Sequence, residues 1–221
     1  MVRPSEGEAA ALIVHRPGRL AWHTALELQR ELAARVREER SVAHLVLVEH
    51  PPVFTLGRNA RPGSLLIAEE ELRRRGIDVE RCDRGGDVTW HGPGQVVGYP
   101  ILHLPTFRFG VAAFVHGLED AMARACARFG VVAIAGRDRI GAWVGEKKIG
   151  SVGIHISRGV STHGFALNAC PDLQHFAFIH PCGMPGCPMT TIEAEANTQV
   201  TWSQAADAME KEITAMIGCR R

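Results

Sequence analysis

Long hydrophobic runs are missing from this chain of 221 residues: no window approaches the ~18 uninterrupted apolar residues that a membrane-spanning helix needs. A dominant charge is missing as well. With 25 Lys+Arg against 24 Asp+Glu the formal net charge is +1, so there is no global basic signature of a nucleic-acid binder and no acidic tail. Any charged partner must be met by a local patch. The opening stretch "MVRPSEGEAAALIVHRPGRLAW" has no continuous apolar segment with a small-residue cleavage site, and its glutamates argue against a transit peptide. The expectation is a cytoplasmic protein without a membrane or nucleic-acid partner. Thiols stay reduced in that compartment, so Cys82, Cys126, Cys170, Cys182, Cys187 and Cys219 do not read as a disulfide framework. Internal repeats and low-complexity segments are absent too.

Two nucleotide signatures also fail. Gly145 and Gly150 have P-loop spacing, but Ser151 stands where the lysine is required. "HGPGQVVG" breaks the dinucleotide fingerprint because Pro93 lies in the turn and a strand, not a helix, is predicted to follow.

At 46% hydrophobic the chain can bury one substantial core, and its length predicts a single domain, residues 1–221. "TALELQRELAARVREER" sets Thr24 and Glu27 in capping-box spacing and puts Ala25, Leu28, Leu32 and Val36 on one helical face. "AHLVLVEHPP" is an apolar run closed by prolines, expected as a buried strand. A short charged helix from Glu69 to Arg75 ends at Gly76. A longer one runs through Phe114, Leu118, Met122, Ala125 and Phe129 and stops at Gly130. Between them, "VERCDRGGDVTWHGPGQVVGYPILHL" alternates strand-like pieces with glycine turns. "RIGAWVG", "KKIGSVGIHIS" and "THGFALNA" predict consecutive antiparallel strands, and a last helix spans about 203–217 with Ala206, Met209, Ile213 and Met216 inward. The clustering of strands predicts an α+β fold, with a mixed sheet layered by helices.

The chemistry is concentrated in "RGGDVTWHGPGQ", "KKIGSVG", "HGFALN" and "FIHPCGMPGCPMTTI". Glycines in the first three allow backbone to approach a ligand closely, although most glycine turns are only turns. In the fourth, Cys182 and Cys187 with His180 or His175 could form part of a metal site. A second ligand cluster is missing unless distant Cys82 or His163 folds in, so no metal is assigned. Alternatively Cys182, between a restraining proline and a glycine, is a thiol beside exposed N–H groups that could receive an oxyanion. Spacing alone favours a structural thiol over the nucleophile.

The blocks "RGGDVTWHGPGQVVGYPILHL", "KIGSVGIHISRGVSTHGFALN" and "FIHPCG" resemble, in order and spacing, the signatures of bacterial lipoyl(octanoyl) transferases. Likeness extends from "EHPPVFTLGRNA" to "MTTIEAE". The resemblance implies a largely antiparallel sheet like that of the catalytic domain of biotin and lipoate protein ligases. It implies an acyltransferase that moves octanoyl from acyl carrier protein to a lysine of lipoyl domains, in 2-oxoacid dehydrogenase E2 subunits and the glycine cleavage H protein. In that family the cysteine of the PCG block carries the acyl thioester, which falls on Cys182, and the lysine opening the K-I-G block falls on Lys148.

Such a pair makes chemical sense. An adjacent ammonium favours the thiolate of a cysteine whose ordinary pKa is about 8.5, and the pair could relay the proton of the incoming lysine. No cofactor is implied, since thioester exchange followed by amide formation needs no nucleotide. The resemblance further implies substrate contacts from Arg84, Gly85, Gly86, Asp87, Val88, Thr89, Trp90 and His91, from Ser151, Val152 and Gly153, and from His163, Gly164 and Phe165. Buried methylenes of the acyl chain would contribute ~0.8 kcal/mol each. Trp90 stands where the family more often has tyrosine, which leaves chain-length preference open. Of the adjacent lysines only one can face Cys182, because neighbouring strand residues point to opposite sides; the register selects Lys148 and sends Lys147 to solvent. Arg73 to Arg75, Arg137, Arg139, Lys147 and Arg158 are candidates for a basic docking patch. An ATP-dependent lipoate or octanoate ligase is the alternative enzyme, and a non-catalytic lipoyl-domain or zinc-binding module the alternative of another class.

Overall fold

The computed structural model describes residues 11–136 and 139–218, with the side chain of Cys182 outside that description. Its main sheet starts from a strand that hydropathy does not announce, β1 (Ala11–Arg19), which lies parallel to β2 (Val42–Glu49). β2 is apolar on both faces because both are covered: Ala43, Leu45 and Leu47 enter one core, Val46 and Val48 the other. Beyond β2 come β6 (Gln95–Ile101), β10 (Val160–Asn168), β9 (Lys147–Ser157), β8 (Ala142–Val144) and β7 (Ile134–Ala135), each antiparallel to its neighbour.

A second sheet has three strands in the order β4-β3-β5, namely β4 (Asp78–Arg81), β3 (Val53–Leu56) and β5 (Val88–His91). Helix α1 (Trp22–Glu38) packs Ala25, Leu32 and Val36 on one face of the large sheet. Helices α3 (Val111–Ala127) and α5 (Trp202–Gly218) cover the opposite face through Leu118, Met122, Met209 and Ile213. Helix α2 (Glu69–Arg74) and a 3-10 segment, Leu173–Phe178, bury the small sheet around Phe54, Leu72, Trp90 and Phe176. Helix α4 (Ile192–Ala196) is a single short turn. The expected mixed, largely antiparallel α+β architecture is therefore present.

Two expectations need correction. The capping box at Thr24 does not form: α1 begins at Trp22, with Ala21 at the N-cap and no side-chain cap bond. Burying Trp22 offsets a missing cap, since a large aromatic contributes more on burial than the ~1 kcal/mol of a cap. The small sheet was not foreseen as separate, because β3 follows two prolines directly after β2. Among the described residues no helix is long and apolar enough to cross a membrane.

Candidate active site

The two sheets meet at a pocket of about 500 Å³, counted with its open mouth. Strand β5 and the loop before it form one wall. Strands β6, β9 and β10 form the other, with Trp22 of α1 at the rim. The loop is tied to β9 by the Gly85 N–H donating to Ile154 O at 2.9 Å. Gly153 makes this approach possible: a Cβ there would sit 3.0 Å from the Gly85 carbonyl and 3.2 Å from the Arg84 side chain. On β10 the ring of Phe165 lies over its β6 partner Gly98, where an added Cβ would overlap the ring.

Three separate blocks of the sequence are thus brought together. Arg84, Gly86, Asp87, Val88, Thr89 and His91 line the pocket, as do Ser151, Val152 and Gly153, and His163, Gly164 and Phe165. Gly85 lines the adjoining outer cleft. Trp90 is the exception and corrects the expectation: it shares its face of β5 with Val88, and its larger ring is buried in the small-sheet core. There it stacks on His175 at 4.8 Å and meets Phe176 edge-on.

Beneath the pocket runs a buried polar network. Gln95 and His91 meet at 2.7 Å through Oε1 and Nδ1, and the Gln95 amide nitrogen donates to Asn168 Oδ1 at 3.0 Å. With the Gln95 oxygen accepting, His91 is protonated on Nδ1, and its Nε2 faces the Thr55 hydroxyl at 3.4 Å. That hydroxyl also accepts from Arg84 Nη2 at 2.9 Å, while the Thr55 carbonyl accepts a second Arg84 bond. His50 is bonded at both ends. Its Nδ1 donates to Leu20 O at 2.7 Å, since a carbonyl can only accept, and its Nε2 accepts from the Tyr99 hydroxyl at 2.8 Å. Burial pushes His50 down to about 4; burial, then the neighbouring His50, pushes His91 down to about 3. Both imidazoles are neutral at pH 7. Burial also raises the Tyr99 phenol, keeping it a donor.

At the rim, His163 has a left-handed backbone, φ 56°, held by its N–H donating to Gln29 Oε1 at 2.7 Å. Its Nε2 lies 2.8 Å from Asp83 Oδ1. Burial outweighs that carboxylate, so its pKa is lowered.

The pocket opens into a wider cleft that shares Gly86, Asp87, Val152 and Gly153 and adds Arg61, Arg139, Ile140, His180 and Gly183. Lys148 lies against this cleft wall. It is fully buried, and its Nζ donates to Ile140 O at 2.8 Å and sits 5.2 Å from the Trp143 ring centroid. Lys147 points the other way and reaches Glu195 at 2.9 Å. The backbone of Lys148 bonds to the segment after the PCG block: its N–H donates to Pro188 O at 2.8 Å, and Thr190 N–H donates to its carbonyl at 2.9 Å.

The PCG block itself is a 3-10 turn, Pro181–Gly183. Its N-terminal side is fixed by His180 N–H donating to Ser64 O, and Gly183, at φ 72°, lies beside the Asp87 carboxylate. Asp87 Oδ1 in turn accepts from Ser64 Oγ at 2.6 Å. The side chain of Cys182 lies outside the described residues, as do Cys219 and Arg137.

The basic candidates divide. Arg139 lines the cleft, stacked 3.9 Å over Trp143, and Arg61, which sequence reading missed, lies there too. Arg73, Arg74 and Arg75 are instead engaged by Glu69 and Glu71 on α2, and Arg158 sits in the β9–β10 turn. Of the metal-reading side chains, His175 is stacked on Trp90 and His163 is held by Asp83. Among the described residues no three His, Cys, Asp or Glu side chains converge as a metal site.

Residues 22–214 match the family described as the lipoyl protein ligase A/B catalytic domain. The chain belongs to this family. An octanoyltransferase of Acidobacterium capsulatum is 45% identical over 191 residues, covering 80% of this chain and 78% of the relative. One of Geobacter sulfurreducens is 44% identical over 190 residues, covering 86% and 78%. In structure, a bipartite lipoate protein ligase of Thermoplasma acidophilum superposes with a TM-score of 0.68 at 15% identity, covering 95% of this chain and 83% of that one. A biotin protein ligase of Leishmania major superposes at 0.56 and 12% identity, covering 94% and 74%. At such identities the two solved structures speak for the lipoyl ligase fold alone.

Sequence reading of this family member missed Trp22, Val97, Tyr99 and Ala166 in the pocket lining, and His50 below it. Tyr99 is the chain's single tyrosine, placed in a strand that is otherwise apolar after Gln95. A buried polar ring in such a run is a signal that could have been weighed.

Proposed function

We propose that the chain, acting as one acyltransferase domain, transfers octanoyl from acyl carrier protein to lipoyl-domain lysines through a thioester on Cys182, with Lys148 as its proton partner. The octanoyltransferase relatives, near 45% identity, weigh far more than the ligases at 12–15% in choosing between transferase and ATP-dependent ligase. The observation that carries the residue assignment is Lys148: a fully buried lysine nitrogen, held by a backbone carbonyl, on a strand hydrogen-bonded to the chain just after the PCG turn. Burying such a group costs several kcal/mol, a cost that chemistry explains better than packing.

In the first half-reaction the Cys182 thiolate attacks the octanoyl carbonyl and the carrier's C–S bond breaks. Lys148 gives its proton to the departing carrier thiolate. In the second, the acceptor ammonium loses one proton to Lys148 and, as the amide forms, the other to water; the C–S bond to Cys182 breaks and the thiolate returns. The acyl chain lies in the pocket along Val88, Val97, Val152 and Phe165, with Gly86 and Gly153 giving it close backbone passage. We place the reaction in the cytoplasm, with E2 lipoyl domains and the glycine cleavage H protein as acceptors and with Arg61 and Arg139 facing acidic partners.

Intact-mass spectrometry tests the reading. Octanoyl-acyl carrier protein, without ATP or acceptor, is expected to add one hydroxylamine-labile octanoyl group at Cys182, which an added lipoyl domain then takes up. Absence of the adduct with active donor, together with ATP-dependent use of free octanoate, would establish the ligase instead.

A further inference from the structure

Glu119 of α3 is a carboxylate with no exposed surface. Its Oε1 accepts the Gly141 N–H at 2.6 Å, and its Oε2 lies 3.0 Å from Nδ1 of the exposed His116. The carbonyl of that same peptide unit, Ile140 O, accepts from Lys148 Nζ at 2.8 Å. One peptide group therefore stands between a buried carboxylate and a buried lysine nitrogen, its N–H end on the acid and its C=O end on the amine. Packing around Gly141 is close: a Cβ there would lie 2.8 Å from Lys148 Cε and 3.2 Å from Nζ, on a backbone with φ 128° that favours glycine.

The other charged groups on surrounding elements are engaged elsewhere. Glu212 of α5 takes Arg124 and Arg128, Arg139 pairs with Glu146, and Lys147 pairs with Glu195; Asp120, next on α3, is exposed. Among the described residues, Glu119 meets only the Gly141 N–H and His116.

We propose that Glu119 is a positioning residue for Lys148. Through the Ile140–Gly141 peptide its carboxylate fixes the loop carbonyl on the lysine nitrogen and stabilises the protonated amine. The physical ground is polarisation: an anion on the N–H end of a peptide strengthens its carbonyl as an acceptor, and the negative charge favours a cation one peptide away. A capping role for the loop alone would need only a neutral acceptor, and a buried carboxylate is a costly way to supply one.

The proposal rests on Lys148 being the proton partner of Cys182, and the test separates the two. The readout is single-turnover transfer from preformed octanoyl-enzyme to a lipoyl domain across pH. In that state Cys182 is acylated, and the acceptor lysine titrates identically for every variant. Glu119→Gln keeps an acceptor for Gly141 and removes the charge; the pH midpoint of transfer is expected to move about one unit to lower pH. Glu119→Asp keeps the charge with shorter reach; its midpoint is expected to match the parent even where its rate falls several-fold. Should Glu119→Gln not be recovered folded, Glu119→Ala reports the same displacement. Coincident midpoints for parent, Gln or Ala, and Asp variants would overturn the role of Glu119. Retention of the parent rate and profile by Lys148→Ala would instead sink the dyad itself.

Discussion

The inner pocket and the outer cleft share a wall but are built in opposite ways. The pocket stands on paired strands, floored by two sets of bonded neutral groups, His50 with Tyr99 and His91 with Gln95 and Asn168, whose imidazoles meet edge-on at 5.9 Å. The cleft is made of loops: the 3-10 turn of the PCG block, the segment from Asn59 to Ser64 and the Arg139–Gly141 loop, with arginines on its surface. On the proposed reading the hydrocarbon chain needs a fixed shape, which strands provide; the charged Arg84 in the lining is held by Thr55. The two protein partners proposed for the cleft would need an open surface, and the proposed reacting groups belong at the boundary between pocket and cleft.

Breaking the boundary has the largest effect. Cys182→Ala is expected to lower transfer on the order of 10³-fold or more, with no octanoyl adduct in the intact mass. Lys148→Ala comes next, with a loss of about 10²–10⁴-fold in the acceptor half-reaction. Acylation, followed separately with octanoyl-carrier protein, should suffer less; equal losses would mean that Lys148 only activates the thiolate.

The floor of the pocket is tested by stability. Tyr99→Phe leaves the buried His50 Nε2 without its donor and should cost about 1–3 kcal/mol in denaturant unfolding. The parent should also weaken in acid. Unfolded histidine takes up a proton near pH 6.5, whereas folded His50 and His91 do so only near 4 and 3. Their contribution is therefore complete above 6.5 and falls with pH below it, by up to about 1.4 kcal/mol per pH unit for each group. A stability flat from pH 7 to 4.5 would contradict the neutral network.

The smallest expected effect lies in the outer cleft, where Arg139→Ala should raise the apparent KM for carrier-bound substrate a few-fold in low salt, and less in high salt. Arg73→Ala on α2, outside the cleft lining, should leave it unchanged.

Much of this division was legible in the sequence. Blocks rich in glycine marked where chain approaches chain; strand alternation allowed only one of Lys147 and Lys148 inside, and the register of the family block chose Lys148. Trp90 was beyond local reading, because what buries it, His175 and Phe176, lies far along the chain. Strand β1 escaped notice because it is largely exposed and contains Pro17, so its hydropathy carries no period. The start of α1 was misplaced because local capping signals were outweighed by the burial of Trp22. His50 and Glu119 could not be read locally, and Tyr99 only as a lone polar ring in its strand. Their importance lies in partners 30, 49 and 22 residues away, brought near only by the folded chain.

Gly98 never needs to touch an octanoyl chain, yet the Phe165 ring that helps shape the pocket rests where its side chain would be. If the pocket holds the acyl chain as proposed, its molecular ruler is calibrated partly by a missing methyl on the strand behind it. Changing which fatty acid is measured out is then a matter of engineering the backing of the gauge, at Gly98 itself, as much as its marked face.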